Sequence, residues 1–415
     1  MCYRSNVAPY QRCRYETMRY SNTAILSISI VLAALTGRTG AFSLQSAPRH
    51  RHIHYQYRMP IHQKFKLTLP PIKSGYRALA TASTGAEALD TGITASNTNN
   101  LPFWKVLWRF TRPHTLIGSA LAIPALHALA ATSLSSFLST ANLIAIVYAM
   151  LPSLLMNLYI TGLNQITDVE IDKVNKPNLP IAAGDLAPKT AILVVGAALI
   201  ASLWIGQAHP VLGSQGLNVA LWGSGILGTL YSVKPFRLKR FPLLAAFCIV
   251  TVRGTLINAS FFAHAKAAAF GTGGSVWHYL THDPKCLWSC VFFGVFGLVI
   301  ALMKDVPDVE GDELAQVRTF SVRIGQDRIF SWMKRLLTSL FLVYSAGFGR
   351  AAFGATTAVL ACTRTLVATL AVMGAISINK EAVGVNPKDR DQVYSFYMHM
   401  WKIFYLCYAI LPLAR

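Results

Sequence analysis

Acidic side chains are scarce in this chain of 415 residues: 17 Asp and Glu stand against 38 Lys and Arg, and charged residues make up only 13% of the whole. A soluble domain usually carries ~25% charged residues. With 53% of the chain hydrophobic as well, a soluble globular protein is excluded. Clustered cysteine is also lacking. The seven cysteines are scattered, and Cys286 and Cys290, the close pair beyond the N-terminal region, have no second pair to complete a metal site or a disulfide framework. The cationic surplus could point to nucleic acid. Beyond residue 100, however, the cations flank long apolar runs and build no basic face studded with aromatics, which excludes nucleic acid as a partner.

The N-terminal hundred residues read as targeting sequence. Arg4, Arg12, Arg14 and Arg19 precede a mostly apolar run from Ala24 to Leu35, too short for the ~20 residues of a membrane span. Residues 1–42 thus form a signal-peptide-like segment. Residues 43–100 are rich in Arg, His, Ser and Thr, carry no acid before Glu87, and pass into a small polar linker, the composition of a transit-peptide-like segment. Joined, the two resemble the bipartite presequences that lead into algal plastids bounded by extra membranes; the alternative is an ordinary signal peptide followed by a tail. The expected location is a plastid membrane.

Residues 101–415 hold the membrane domain. No formal charge occurs from Pro113 to Thr167 or from Thr190 to Val233, and each stretch has room for two helices of ~20 residues. Hinges are predicted at Thr132 to Thr140 and at His209-Pro210. Further spans fit 241–263, 286–303, 329–347, 351–376 and 396–413. The predicted fold class is all-α: a polytopic membrane protein of about nine transmembrane helices. If the segment before the first span faces inside, 19 of the 26 cations beyond residue 100 fall in inside segments and four outside, as the positive-inside rule requires.

The few acids are not scattered. Of 14 beyond residue 100, eight lie in two short segments, Asp168, Glu170 and Asp172, and Asp305, Asp308, Glu310, Asp312 and Glu313. Both segments follow a predicted span at its inside end. Asn164, Asp168 and Asp172 are spaced i, i+4, i+8, and Asp305, Asp308 and Asp312 i, i+3, i+7, so each set forms one stripe if helical. Stacked carboxylates at a membrane surface repel and need compensation. Mg²⁺ suits hard oxygen donors and is commonly held between one or two carboxylates and substrate phosphates. Two facing stripes would then clamp a diphosphate through Mg²⁺. The alternatives are a solvated cap paired with Lys173, Lys176 and Lys304, or structural Ca²⁺.

These residues resemble a known family. Asn164-Gln165-Ile166-Thr167-Asp168-Val169-Glu170-Ile171-Asp172 and Lys304-Asp305-Val306-Pro307-Asp308-Val309-Glu310-Gly311-Asp312 look like the two aspartate-rich motifs of the UbiA superfamily of intramembrane aromatic prenyltransferases, in its homogentisate branch. Matching context includes Arg112-Pro113-His114-Thr115, Lys173-Val174-Asn175-Lys176-Pro177 and Trp401-Lys402-x-Phe404-Tyr405, so the likeness covers about residues 101–415. The resemblance implies nine helices around a central cavity and Mg²⁺ as cofactor. Its substrates would be a prenyl diphosphate and homogentisate, its surroundings membrane lipid, and no obligate protein partner is implied. Carried across, Asn164, Asp168, Asp172, Asp305, Asp308 and Asp312 would serve catalysis, the five aspartates as metal ligands. Lys176 and Lys304 match basic positions beside the motifs. The stretch Tyr231 to Arg240, with Arg237, Lys239 and Arg240, matches a basic loop that would close over the phosphates.

Three cations fall inside predicted spans, Arg253, Arg364 and Lys402, and an intramembrane charge marks function by default. Arg253 is the candidate for binding the anionic aromatic acid; the alternative is pairing with an acid such as Asp168. Within the branch, Arg318-x-Phe320-Ser321-Val322-Arg323-x-Gly325-Gln326 resembles phytyltransferases, whereas Ile181-Ala182-Ala183-Gly184-Asp185 and Phe241-Pro242 resemble solanesyltransferases. Phytyl or geranylgeranyl is the favoured group. From another class, a multi-pass anion transporter is the competing reading, although transporters commonly carry internal repeats and midplane sites.

Overall fold

A computed structural model describes residues 101–414, and among these every regular element is helical. The targeting segments and their boundary at residue 42 lie outside the described residues. The long helices are α1 (Pro113–Ala130), α2 (Thr140–Thr167), α3 (Pro188–Gln207), α4 (Gln215–Ser232), α5 (Pro242–Ala269), α6 (Pro284–Lys304), α7 (Gln326–Phe353), α8 (Ala358–Glu381) and α9 (Arg390–Ile410). All but α4 and α9 are long and apolar enough to cross a membrane; those two are of comparable length, 18 and 21 residues, but less apolar. The expected number of nine is thus not fixed by length and apolarity alone.

Two kinds of start, proline at the first helical position and a capping side chain, open most of the long helices. Where the chain enters a helix from the end that carries the aspartate motifs, α1, α3 and α5 open on Pro113, Pro188 and Pro242, whose missing N–H leaves no donor orphaned there. At the opposite end, Ser139, Ser214, Asp283 and Thr357 accept backbone N–H groups in the first turns of α2, α4, α6 and α8. The predicted hinges fall where these caps lie, between Ala130 and Thr140 and between Gln207 and Gln215.

A core of buried side chains drawn from all nine long helices holds the bundle. Phe293 of α6 stacks on Tyr408 of α9 at 3.8 Å, with Phe404 edge-on to both. The helices α7 and α8 pack chiefly on one another and present many apolar side chains outward, as a hairpin in lipid does. In α5 the helix widens into π turns at Thr251–Leu256 and Ala265–Ala269. Such turns often mark functional positions, and the first contains Arg253.

Candidate active site

Neither aspartate motif is the continuous stripe that its spacing predicted. Helix α2 stops at Thr167, Asp168 caps it, and a new short helix runs Val169–Asn175. Likewise α6 stops at Lys304, Asp305 caps it, and a short helix begins after Asp308, at Val309–Leu314. Each break relieves the stacking of like charges along one face. It also turns both short helices over the same opening.

The two short helices are tied together by a residue to which the sequence reading gave no role. Asn175 donates from Nδ2 to the carbonyl of Asp308 (2.9 Å) and accepts at Oδ1 from the N–H of Gly311 (3.0 Å), all buried. A Cβ at position 311 would lie 2.4 Å from Asn175 Oδ1, so only glycine lets the two segments approach this closely. Lys176 reinforces the junction by an ion pair with Asp308.

The cavity between these segments is lined by Asn164, Asp168, Asp172, Asp305, Asp308 and Asp312, with Lys176, Lys239 and Lys304 among them. All the predicted acids therefore meet at one place. The basic loop closes one side: Arg237 donates to Asp168 Oδ1 at 2.9 Å, and Lys239 pairs with Oδ2 of the same carboxylate. Lys304 pairs with its neighbour Asp305 at 3.4 Å. Arg240 is the exception. It is exposed, and among the described residues no carboxylate pairs with it, although the loop sequence put it with Arg237 and Lys239.

The carboxylates divide into compensated and uncompensated. Asp168 and Asp308 have cations in contact. Asp172 Oδ2 is buried with no hydrogen-bond partner. Burial raises the Asp172 carboxyl to about 6 against the opposing pull of Lys176, and burial, then Asp305 and Asp308, raises Asp312 to about 7. Burial lowers Lys239 to about 8, with Asp168 resisting the shift. The ionised forms of Asp172 and Asp312 are thus poorly compensated by solvent and protein cations, the condition that a divalent cation relieves. Among the described residues no three His, Cys, Asp or Glu side chains converge closely enough to enclose a metal by themselves. The donor set fits Mg²⁺ held by one or two carboxylates per ion, with substrate phosphate oxygens and water completing its shell.

Beneath this polar opening lies an apolar chamber among α1, α2, α4 and α5. Arg112, Asn164, Tyr231, Ile249 and Lys304 line both spaces, so one runs into the other. Arg112 is a second residue whose role the sequence reading missed. It precedes Pro113 with φ 51°, a conformation rarely adopted by residues other than glycine, and its buried Nε lacks a partner. The cation before the first span's proline was visible; its strain was not.

Arg253 faces the chamber, with its guanidinium 5.4 Å from the centre of the Trp401 ring. Asp168, the alternative partner, is taken by Arg237 and Lys239, and among the described residues no carboxylate pairs with Arg253. Arg364 donates to the Ala351 carbonyl, and Lys402 is exposed. His114 abuts Trp401 edge-on while its carbonyl accepts from Tyr405, a structural role.

Comparison with known proteins addresses the family. The model of the UbiA prenyltransferase family matches residues 117–403. Homogentisate phytyltransferase 1, chloroplastic, of Arabidopsis thaliana is 36% identical over 84% of this chain and 84% of its own length. Homogentisate phytyltransferase of Synechocystis is 38% identical over 75% of this chain and 95% of its own. Homogentisate solanesyltransferase, chloroplastic, of Arabidopsis thaliana is 38% identical over 54% and 55%. A match of this extent settles the family: the chain belongs to the UbiA prenyltransferases, and it carries seven helices long and apolar enough to cross a membrane among its described residues.

Proposed function

We propose that this protein transfers a phytyl or geranylgeranyl group from its diphosphate to homogentisate in a plastid membrane, with Mg²⁺ as cofactor and loss of the acetate carboxyl as CO₂. The observation that carries the reading is the joining of two unlike spaces, a carboxylate-lined opening and an apolar chamber, through shared lining residues. A prenyl diphosphate has the same division, and relatives of this length and identity act on homogentisate by name.

Transfer breaks the allylic C–O bond, leaving an allylic cation and a diphosphate that carries the electron pair. Bound Mg²⁺ would act as a Lewis acid on the phosphate oxygens, with Asp168, Asp172, Asp305, Asp308 and Asp312 as the residues to hold it. Lys176, Lys304, Arg237 and Lys239 supply fixed positive charge around the departing group, and Arg112 sits where the phosphates meet the chain. The apolar chamber keeps water from the cation. Arg253 takes the carboxylate of the aromatic acid and presents its ring to the cation. The attacked ring carbon loses its proton, and the side-chain methylene gains one as CO₂ leaves.

The test is incubation of membranes containing the full chain with Mg²⁺, labelled homogentisate and phytyl or geranylgeranyl diphosphate. A labelled prenylated quinol that disappears on chelation is expected. No such quinol with any prenyl donor would sink the reading.

A further inference from the structure

We infer that the short helix Phe103–Phe110 is seated on lipid, at the boundary between headgroups and acyl chains, and that this seat holds Arg112 in the cavity; the second half rests on the place of Arg112 in the prenyl-transfer reading above. The helix has more apolar surface than the protein covers. At ~100° per residue, Val106 and Phe110 share one face, Trp104 and Trp108 a second, and Lys105 and Arg109 a third. The first face is buried in the bundle. The third meets the loop before α3, where Arg109 pairs with Asp185 at 2.6 Å and donates to the Asn178 carbonyl. The second face is left outside: Trp104 is 65% exposed and Trp108 47%. Lys105 Nζ lies 5.5 Å from the centre of the Trp104 ring, an apolar stem along the aromatic with its charge at the edge, as lysines lie at a membrane surface.

The depth of the helix identifies what covers that face. The Phe110 ring abuts Gly162, where an added Cβ would lie 2.9 Å from the ring and 2.5 Å from Val195 Cγ2. Gly162 stands five residues before the end of α2 and Val195 seven past the start of α3, so this contact lies ~8–10 Å below both helix ends. With 28 residues α2 is ~42 Å long and outreaches a ~30 Å hydrocarbon core by ~6 Å at each end. The helix is therefore level with the edge of the hydrocarbon, the layer in which tryptophan is enriched and amphipathic helices lie. Ile192 and Leu193, exposed near the start of α3, are apolar there too. A helix of eight residues does not persist by its own hydrogen bonds, so its two apolar contacts, with the bundle and with lipid, hold it. From it a short path leads to the site. The Phe110 carbonyl accepts from Gln165 Nε2 at 2.8 Å, a buried bond to the second residue of the first aspartate motif. The Arg112 N–H donates to the Arg109 carbonyl at 3.2 Å, which fixes Arg112 to the helix end while its side chain lines the cavity.

The test uses the full chain reconstituted in phosphatidylcholine vesicles. Subtracting the fluorescence of Trp104→Phe/Trp108→Phe from that of the wild type leaves the emission of these two among eight tryptophans. Lipid brominated high on its acyl chains is expected to quench that emission by about half, and iodide in the water by less than about a tenth. Quenching by iodide and not by bromolipid overturns the inference, because the face would then meet water or another protein. Trp104→Ala/Trp108→Ala should raise the KM for geranylgeranyl diphosphate about threefold to tenfold with kcat changed less than about twofold, while the phenylalanine pair, still aromatic, stays within about twofold of the wild type in both. Loss of folded enzyme would instead lower the apparent kcat and leave KM alone. Gln165→Leu cuts the path and should raise the same KM, and adding the alanine pair to it should raise KM little further. A KM untouched by the alanine pair, or additive effects in that cycle, overturns the link to Arg112. Absence of product with every donor in the wild type would be a failure of the prenyl-transfer reading, and the fluorescence would still decide the lipid seat.

Discussion

The two aspartate motifs share a pattern but are held in different ways. The first is fastened from outside itself, by Arg237 and Lys239 of the basic loop on Asp168. The second is fastened to the first, by Lys176 on Asp308 and by the two hydrogen bonds of Asn175. Asp168, the short helix Val169–Asn175 that follows it and the lysine after that helix therefore form a hub on which loop and second motif both depend. In each motif the carboxylate at the helix break has a cation in contact. The carboxylates farther along, Asp172 and Asp312, are pushed toward their neutral forms. Pairing holds the site in shape before substrate arrives, and the under-compensated pair leaves it with an affinity for cations.

The largest effect is expected at the paired acids. Asp168→Asn and Asp308→Asn each remove a proposed metal ligand and leave buried cations unmatched, so turnover should fall by roughly 10²–10³-fold or more while the protein still inserts in the membrane. A product assay beside a membrane-fraction immunoblot checks both halves. The hub is tested next. Asn175→Ala orphans two buried backbone groups at ~1–3 kcal/mol each, enough for about a tenfold to hundredfold loss of kcat/KM. Gly311→Ala should cost a similar amount by collision with Asn175, and less in the Asn175→Ala background. Additive losses in that double-mutant cycle would mean that the motifs are not joined through this contact.

Arg253→Ala sharpens the division between the polar opening and the chamber. Loss of about tenfold to hundredfold in kcat/KM for homogentisate is expected, with the KM for the prenyl diphosphate changed less than about threefold. Equal losses for both substrates would remove the assignment. Proton linkage gives a smaller effect. Because the Asp172 and Asp312 carboxyls titrate near 6 and 7 rather than near 4, they are ionised above those values and neutral below them. Protons and Mg²⁺ then compete, and the Mg²⁺ concentration for half-activation should rise about tenfold between pH 8 and pH 6. A half-activation constant flat over that range would show that neither carboxylate binds the metal.

Much of this was legible in the sequence because apolar runs and scarce charges are signals that survive without coordinates. The hinges near Thr132 to Thr140 and at His209-Pro210 lie where the helices break, and both acid clusters line one cavity. The span predicted over 241–263 runs to Ala269, since two π turns prolong a helix whose apolar sequence gives no sign of them. The breaks at Asp168 and Asp305 were hidden because i, i+4 spacing describes a helix that continues, and repulsion between its carboxylates favours one that stops. Asn175 carried no signal beyond its place in Lys173-Val174-Asn175-Lys176-Pro177. Its importance lies in a contact 133 residues away in sequence, which no local pattern encodes.

The smallest expected effect is at one of two neighbours in the basic loop, Arg240, and its contrast with the other, Lys239, is the test. Lys239 and Arg240 are adjacent in the 3₁₀ turn Leu238–Arg240, where consecutive side chains diverge by about 120°. Lys239 is turned inward onto Asp168, and Arg240 outward. Lys239→Ala leaves Asp168 with Arg237 alone and should lower kcat/KM by roughly 10–100-fold, whereas Arg240→Ala should change it less than about twofold. Both variants lose one positive charge from the same loop, so a general weakening of attraction for the anionic donor would affect them alike and fade with salt. A difference that persists at high ionic strength isolates the short-range contact with Asp168. Equal losses at every salt concentration would mean that the loop repacks around the phosphates with Arg240 swung inward, and that the pairing seen here belongs to a resting arrangement.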